Sequence, residues 1–179
     1  YILKTGAQLA RKAANKRNVW KTHSDGLERC PGSITSWGIE RAIQGAPRVP
    51  WSAAGYARGL RGWIGKDVTA INAVEFSIPH PAGFAGTCDA LLDIQGKGPV
   101  VAHWKTSQRE RSEEMLTNYI DQLGAYSLGL KSLTGIKAAG ALGVVARRTG
   151  APQIRELSEL ELRGAEARFL SRCEDYFAA

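Results

Sequence analysis

Asp89, His103 and Lys105 are the residues whose types and spacing could do chemistry. They lie in the stretch Gly86 to Ser107, GTCDALLDIQGKGPVVAHWKTS. Two apolar runs flank a glycine-rich turn, Gln95-Gly96-Lys97-Gly98, so the stretch predicts two β-strands joined as a hairpin, with Asp89 at the start of the first. Side chains two apart on a strand share a face. His103 and Lys105 therefore emerge together, and pairing of the strands sets Asp89 beside them. A carboxylate on one strand and an acid-x-Lys tripeptide at the end of the next is an arrangement for metal-assisted phosphodiester hydrolysis. Carboxylates hold Mg2+, an oxygen-seeking ion; the metal acidifies a bound water and offsets charge on the phosphate. The lysine orients or deprotonates that water.

These residues must be positioned by the rest of the chain. Val68 to Ile78 alternates Ala73, Glu75 and Ser77 with Val74, Phe76 and Ile78, which predicts a strand ended by Pro79 and Pro81 with Glu75 on its wetter face. After a charged loop holding Arg109 and Arg111, residues 113–133 predict one long helix capped by Ser112 and stopped by Gly135. Leu116, Ile120, Leu123 and Leu130 form its apolar stripe, with Tyr119, Gln122 and Tyr126 on the neighbouring one. Residues 137–147 read as a central strand and residues 153–157 as an edge strand. Ser158 and Glu161 form a capping box that opens a last amphipathic helix, in which Leu162, Ala165, Phe169 and Tyr176 can pack.

The first 66 residues read as mainly helical. A basic helix over residues 2–21 carries Lys12, Lys16 and Arg17, a second follows Ser33, and a third covers residues 52–64 with Ala54, Leu60, Trp63 and Ile64 available for burial. Trp20, Trp37, Trp51 and Trp63 read chiefly as core or groove-wall residues. Helices, three strands, a helix, two strands and a final helix give an α/β fold, a mixed central sheet flanked by helices. Length and a 44% hydrophobic content fit one domain over residues 1–179, with a helical part over 1–66 and an α/β core over 67–179.

Composition narrows the function classes. The three cysteines, Cys30, Cys88 and Cys173, lack the spacing of a disulfide framework or zinc site. With no apolar run of membrane-spanning length and no signal-like opening, the sequence reads as intracellular. A net charge of +7 favours a polyanionic partner, most simply nucleic acid. Taken singly, the site residues have ordinary explanations: Glu75 a solvated strand residue, Lys105 a snorkelling lysine, Gln122 and Tyr126 a helix and sheet seam. Their conjunction gives them weight.

Glu75, GTCD (86–89), HWKTS (103–107) and QLGAY (122–126) together resemble the RecB-type branch of the PD-(D/E)xK nucleases. The likeness is closest to phage-encoded members and the mitochondrial genome maintenance exonuclease, and runs from about Val74 to Tyr126. It implies a restriction-endonuclease-like fold and a DNA exonuclease using Mg2+ or Mn2+ on single strands or strand ends. Asp89 would be the principal metal ligand, Lys105 the water-activating lysine and Glu75 an accessory acid. The Trp104 carbonyl would complete the coordination, and Gln122 and Tyr126 would orient the lysine, the water or the DNA backbone. Arg109, Arg111, Tyr119 and the basic first helix, with Lys12, Lys16 and Arg17, become candidate DNA contacts. Trp37 and Trp51 are the first aromatics to consider for base stacking in a strand channel.

The sequence departs from the family pattern twice. The second acid is replaced by His103, whose imidazole suits Zn, Mn or Ni better than Mg2+ and brings no negative charge. The family's upstream helical histidine also has no counterpart near Gly55-Tyr56. His103 is then an introduced inactivating change, a natural variant with altered metal preference, or the mark of a pseudo-enzyme. The expectation is a nuclease weakened or abolished by His103. The alternatives are a catalytically silent nucleic-acid-binding module, or a basic α/β protein in which the Asp89 and Lys105 pairing is accidental.

Overall fold

In the computed structural model, the described residues are 43, 51–117 and 119–178. The two predicted N-terminal helices, Cys30, Trp20, Trp37, Lys12, Lys16 and Arg17 fall outside them. Ile43 is helical and buried, and packs into the core.

A 3-10 turn, Trp51–Ala53, leads into helix α1, Ala54–Asp67. Five strands follow with three more helices: β1 Val68–His80, β2 Phe84–Ile94, β3 Gly98–Ser107, α2 Glu113–Thr117, α3 Ile120–Thr134, β4 Gly140–Arg147, β5 Gln153–Leu157 and α4 Glu159–Ala178. The strands form one mixed sheet in the order β1-β2-β3-β4-β5. All neighbours pair antiparallel except β3 and β4, which run parallel because helices α2 and α3 carry the chain across between them. This is the α/β architecture expected, a mixed sheet flanked by helices.

Alternation along β3 assigns the two faces. Val100, Ala102 and Trp104 point to α1, where they join Leu60, Leu92, Leu142 and Val144 in one apolar layer. Val101 points the other way, into a layer with Leu91, Leu123, Tyr126, Leu130 and Leu162 beneath α3 and α4. The hairpin turn is built as its sequence demands: Gly96 and Gly98 have φ of +76° and +88°, and Lys97 N–H donates to Ile94 O at 3.0 Å.

Several boundaries differ from the expectation. β1 runs through Pro79 to His80 rather than stopping there; it is an edge strand, where a missing N–H costs no ladder bond. Its alternation is also weak. Register shifts between Val68 and Ala70 and between Ile71 and Ala73 leave only Ile78 fully buried along it. Asp89 is the sixth of eleven residues in β2, not its start. The long helix divides into α2 and α3, because Tyr119 N–H bonds three residues back to Leu116 O, a 3-10 closure that interrupts the repeat. Ser112 caps α2 through Met115 N–H (3.4 Å), and Gly135 ends α3 with φ +76°.

The remaining differences are smaller. β4 begins at Gly140 rather than residue 137, and α1 begins at Ala54 and extends to Asp67. Ala57, not Ala54, joins Leu60 in the fully buried set. Tyr176 stands 57% exposed near the end of α4, and Trp51 is 87% exposed, so neither is a core residue. The capping box forms as read, with Ser158 N–H donating to Glu161 Oε2 at 2.8 Å and Glu161 N–H to Ser158 Oγ at 3.3 Å. Cys88 and Cys173 are free, buried thiols.

Candidate active site

The site lies where two strands part. β2 and β3 pair from Ile94↔Gly98 as far as Ala90↔Ala102, and there their ladder ends. Beyond that point β2 continues along β1 while β3 continues along β4 to Ser107. The fork leaves backbone groups of β3 without a strand partner, and a side chain takes over: Trp104 N–H donates to Asp89 Oδ2 at 2.7 Å. The same oxygen lies 2.7 Å from His103 Nδ1.

His103 is 4% exposed and its ring is enclosed. At this distance an Nδ1–H donates to the Asp89 carboxylate oxygen, which accepts it. Its other nitrogen, Nε2, is buried with no hydrogen-bond partner. Tyr126 packs edge-on to the imidazole with ring centroids 5.8 Å apart; its hydroxyl sits 3.5 Å from Nδ1 and accepts from Gln122 Nε2 at 2.7 Å. Burial first, then the Asp89 charge, pushes the Tyr126 hydroxyl far above its ordinary range, so it stays a neutral O–H.

Lys105 occupies the open end of the same face. Its ammonium lies 5.5 Å from the Tyr119 ring centroid, and that ring also meets His103 at 5.7 Å. Partial burial lowers the Lys105 pKa, Asp89 opposes that shift, and Arg111 adds to it. Tyr119, read from the sequence as a DNA contact, is thus the shelf between histidine and lysine. Its place three residues before Gln122 and seven before Tyr126 was the available signal.

Glu75 lies across from Asp89, since Val74 pairs with Ala90 and Phe76 with Cys88. It adopts φ +52°, a left-handed conformation that costs a non-glycine residue roughly 1 kcal/mol or more. Its charge reaches the site, helping to raise both the Cys88 thiol and the Tyr126 hydroxyl, although burial and Asp89 weigh more in each. Arg109 is exposed, its N–H accepted by Ser107 Oγ at 3.3 Å. Arg111 is tied back to β5: Gln153 accepts from its N–H at 2.9 Å and donates to its carbonyl at 2.8 Å. The sequence held no hint of that glutamine's role.

A divalent cation of the Mg2+ type seeks about six oxygen ligands. Here one oxygen of Asp89 is engaged by His103 and Trp104, and residue 103 offers nitrogen in place of a second carboxylate. Among the described residues, no three His, Cys, Asp or Glu side chains converge to hold an ion. The donor set of this chain does not fit Mg2+.

The fold and the fork define a class, mixed-sheet α/β proteins whose central strands part over a cluster of polar side chains. The sequence matches no family model and no curated protein. Among solved structures, the crystal structure of a "Putative exonuclease" from Eubacterium rectale superposes with a TM-score of 0.52 at 13% identity, over 84% of this chain and 70% of that one. At that identity the likeness is one of fold. The crystal structure of SSO0001 covers 82% of this chain and 79% of its own at 18% identity, with a TM-score of 0.34, too low to bear on the architecture. No described helix is long and apolar enough to cross a membrane.

Proposed function

We propose that this chain is a DNA exonuclease of the PD-(D/E)xK kind, directed to single strands or strand ends, in which His103 weakens or abolishes cleavage. The observation that carries this reading is the 2.7 Å contact between His103 Nδ1 and Asp89 Oδ2. A histidine stands where the two-acid, one-lysine arrangement needs a carboxylate, and it ties up the remaining acid. The exonuclease-named structure of the same fold supports the choice of activity.

In this reading the residues keep the parts that do not depend on a second acid. Lys105, its charge made less favourable by burial, is the group poised to orient or take a proton from water. Tyr119 fixes its direction, and the neutral Tyr126 hydroxyl, held by Gln122, supports the imidazole. Arg109 and Arg111 meet phosphates.

The test compares this chain with His103→Asp on end-labelled DNA in Mg2+ or Mn2+. The substituted chain should cut at least about 100-fold faster, the scale of losing one charge-stabilising group in a hydrolytic site. If His103→Asp binds DNA and never cuts it, the chain is a silent binding module; if neither form binds, the nucleic-acid reading fails.

A further inference from the structure

A groove of about 590 Å³ lies on the opposite face of the sheet from His103, between α1 and the loop joining β4 to β5. We propose that it is a second binding site, holding the phosphate backbone of a single nucleic-acid strand. The inference rests on the DNA reading above and extends it to a surface outside the fork.

Three cations line the groove: Arg58 and Lys66 from α1, and Arg148 from the loop. None makes an ion pair among the described residues, and Asp67 is the single acid among the lining residues. Elsewhere four arginines are neutralised by acids: Arg155 by Glu161, Arg163 by Glu166, and Arg168 and Arg172 by Asp121. Three cations against one acid on an open concave wall have the charge complementarity of a phosphate chain.

The groove is preformed. A Cβ at Gly55 would collide with the Arg148 carbonyl oxygen, and one at Gly59 with that of Gly150, so α1 lies directly on the loop with backbone against backbone. Gly150 itself has φ +80°. Trp63 forms an apolar wall and meets Trp104 edge-on with centroids 6.4 Å apart. Trp104 is the residue whose N–H holds Asp89, so one aromatic pair spans from the groove to the fork.

The groove is also continuous with the other basic residues. β3 and β4 are parallel and in register to Ser107↔Arg147, so both deliver their C-terminal ends to the same sheet edge. Arg109 and Arg111 after β3 therefore leave the sheet at the same end as Arg147, the last residue of β4, and Arg148 after it. The Gln153 bridge to Arg111 and the Arg147–Glu110 pair (3.9 Å) hold the two loops together. A strand leaving the fork over that edge meets Arg148 and then Arg58 and Lys66.

Anisotropy of labelled oligothymidylate on the full chain, titrated across a salt series, tests the site. Arg58→Glu/Arg148→Glu should bind at least about tenfold more weakly, with the log-log salt slope reduced by about 1.4, the value for two lost single-strand phosphate contacts. Arg168→Glu/Arg172→Glu carries the same charge change on α4 and should lose less than about threefold. Arg58→Gln/Arg148→Gln, checked by thermal melting, guards against misfolding and should follow the first pair. Equal losses in both Glu pairs, or no loss in either Arg58/Arg148 pair, overturns the site. Inorganic phosphate competing as well as the oligonucleotide also overturns it, leaving a single-anion pocket. If the unaltered chain binds no DNA, both readings fall. If it binds and His103→Asp cuts while the groove variants bind normally, the groove alone falls.

Discussion

The two faces of β3 use the same strand for different ends. Toward α1, Val100, Ala102 and Trp104 continue one apolar layer along the strand. Toward α3, Val101 is apolar, but the next residues on that face are His103 and Lys105, with Tyr126, Gln122 and Tyr119 above them. Polarity on that face begins where β2 leaves. A sheet interior has no partners for charged groups, whereas a fork supplies free backbone donors and a way out to water. The polar cluster is therefore confined to the part of the face where the sheet has opened.

The largest effects should come from the apolar layers. Leu60→Ala and Leu123→Ala, one on each face and both fully buried, should each cost about 2 to 5 kcal/mol in urea unfolding. The sheet separates them, so the double variant should be additive to within roughly 0.5 kcal/mol. A larger coupling would mean that the two layers are one core, and would break the comparison.

Next in size are the helix contacts. Gly124→Ala places a Cβ 2.6 Å from the Ala165 backbone on the α3 face, and Gly55→Ala meets a carbonyl oxygen on the α1 face; each should destabilise by about 1 to 3 kcal/mol. Gly62→Ala, with open space around its added methyl, should instead stabilise by up to about 1 kcal/mol through helix propensity. Thermal melts of the three would show whether close backbone approach is shared by both faces.

Smallest is the effect of pH. Because burial lowers the Lys105 pKa below 10.5, the unfolded chain binds the proton more tightly than the folded one between the two values. Stability contributed at this residue then rises as pH climbs through the folded pKa toward 10.5. Lys105→Met should flatten that rise in urea midpoints measured from pH 7 to 10.5. An unchanged alkaline slope would place the lysine in free water and remove it from the face it is assigned to.

Much of this was legible from local pattern. The hairpin glycines, the Ser158 capping box and the β5 edge strand are written in turn and cap chemistry over a few residues. The neighbourhood of Asp89, His103 and Lys105 followed from strand period and hairpin register. What escaped depends on contacts distant in sequence. Nothing around residue 119 announced the helix break, the Gln153 tie to Arg111 spans 42 residues, and the left-handed φ of Glu75, on a strand whose pairing around it stays in register, has no local sequence signal. Tyr176 failed for a related reason: helical spacing places it on the right stripe, but α4 outruns the layer it packs on.

The Trp104 amide has a spectroscopic consequence. At the fork its proton is held by a charged carboxylate oxygen at 2.7 Å instead of by a strand carbonyl. Such a proton resonates far downfield and exchanges at a rate set by how long Asp89 stays in place. The chain thus carries its own gauge at the centre of the site: whatever draws Asp89 away, whether an ion, a strand or a substitution at residue 103, registers as one amide signal moving upfield.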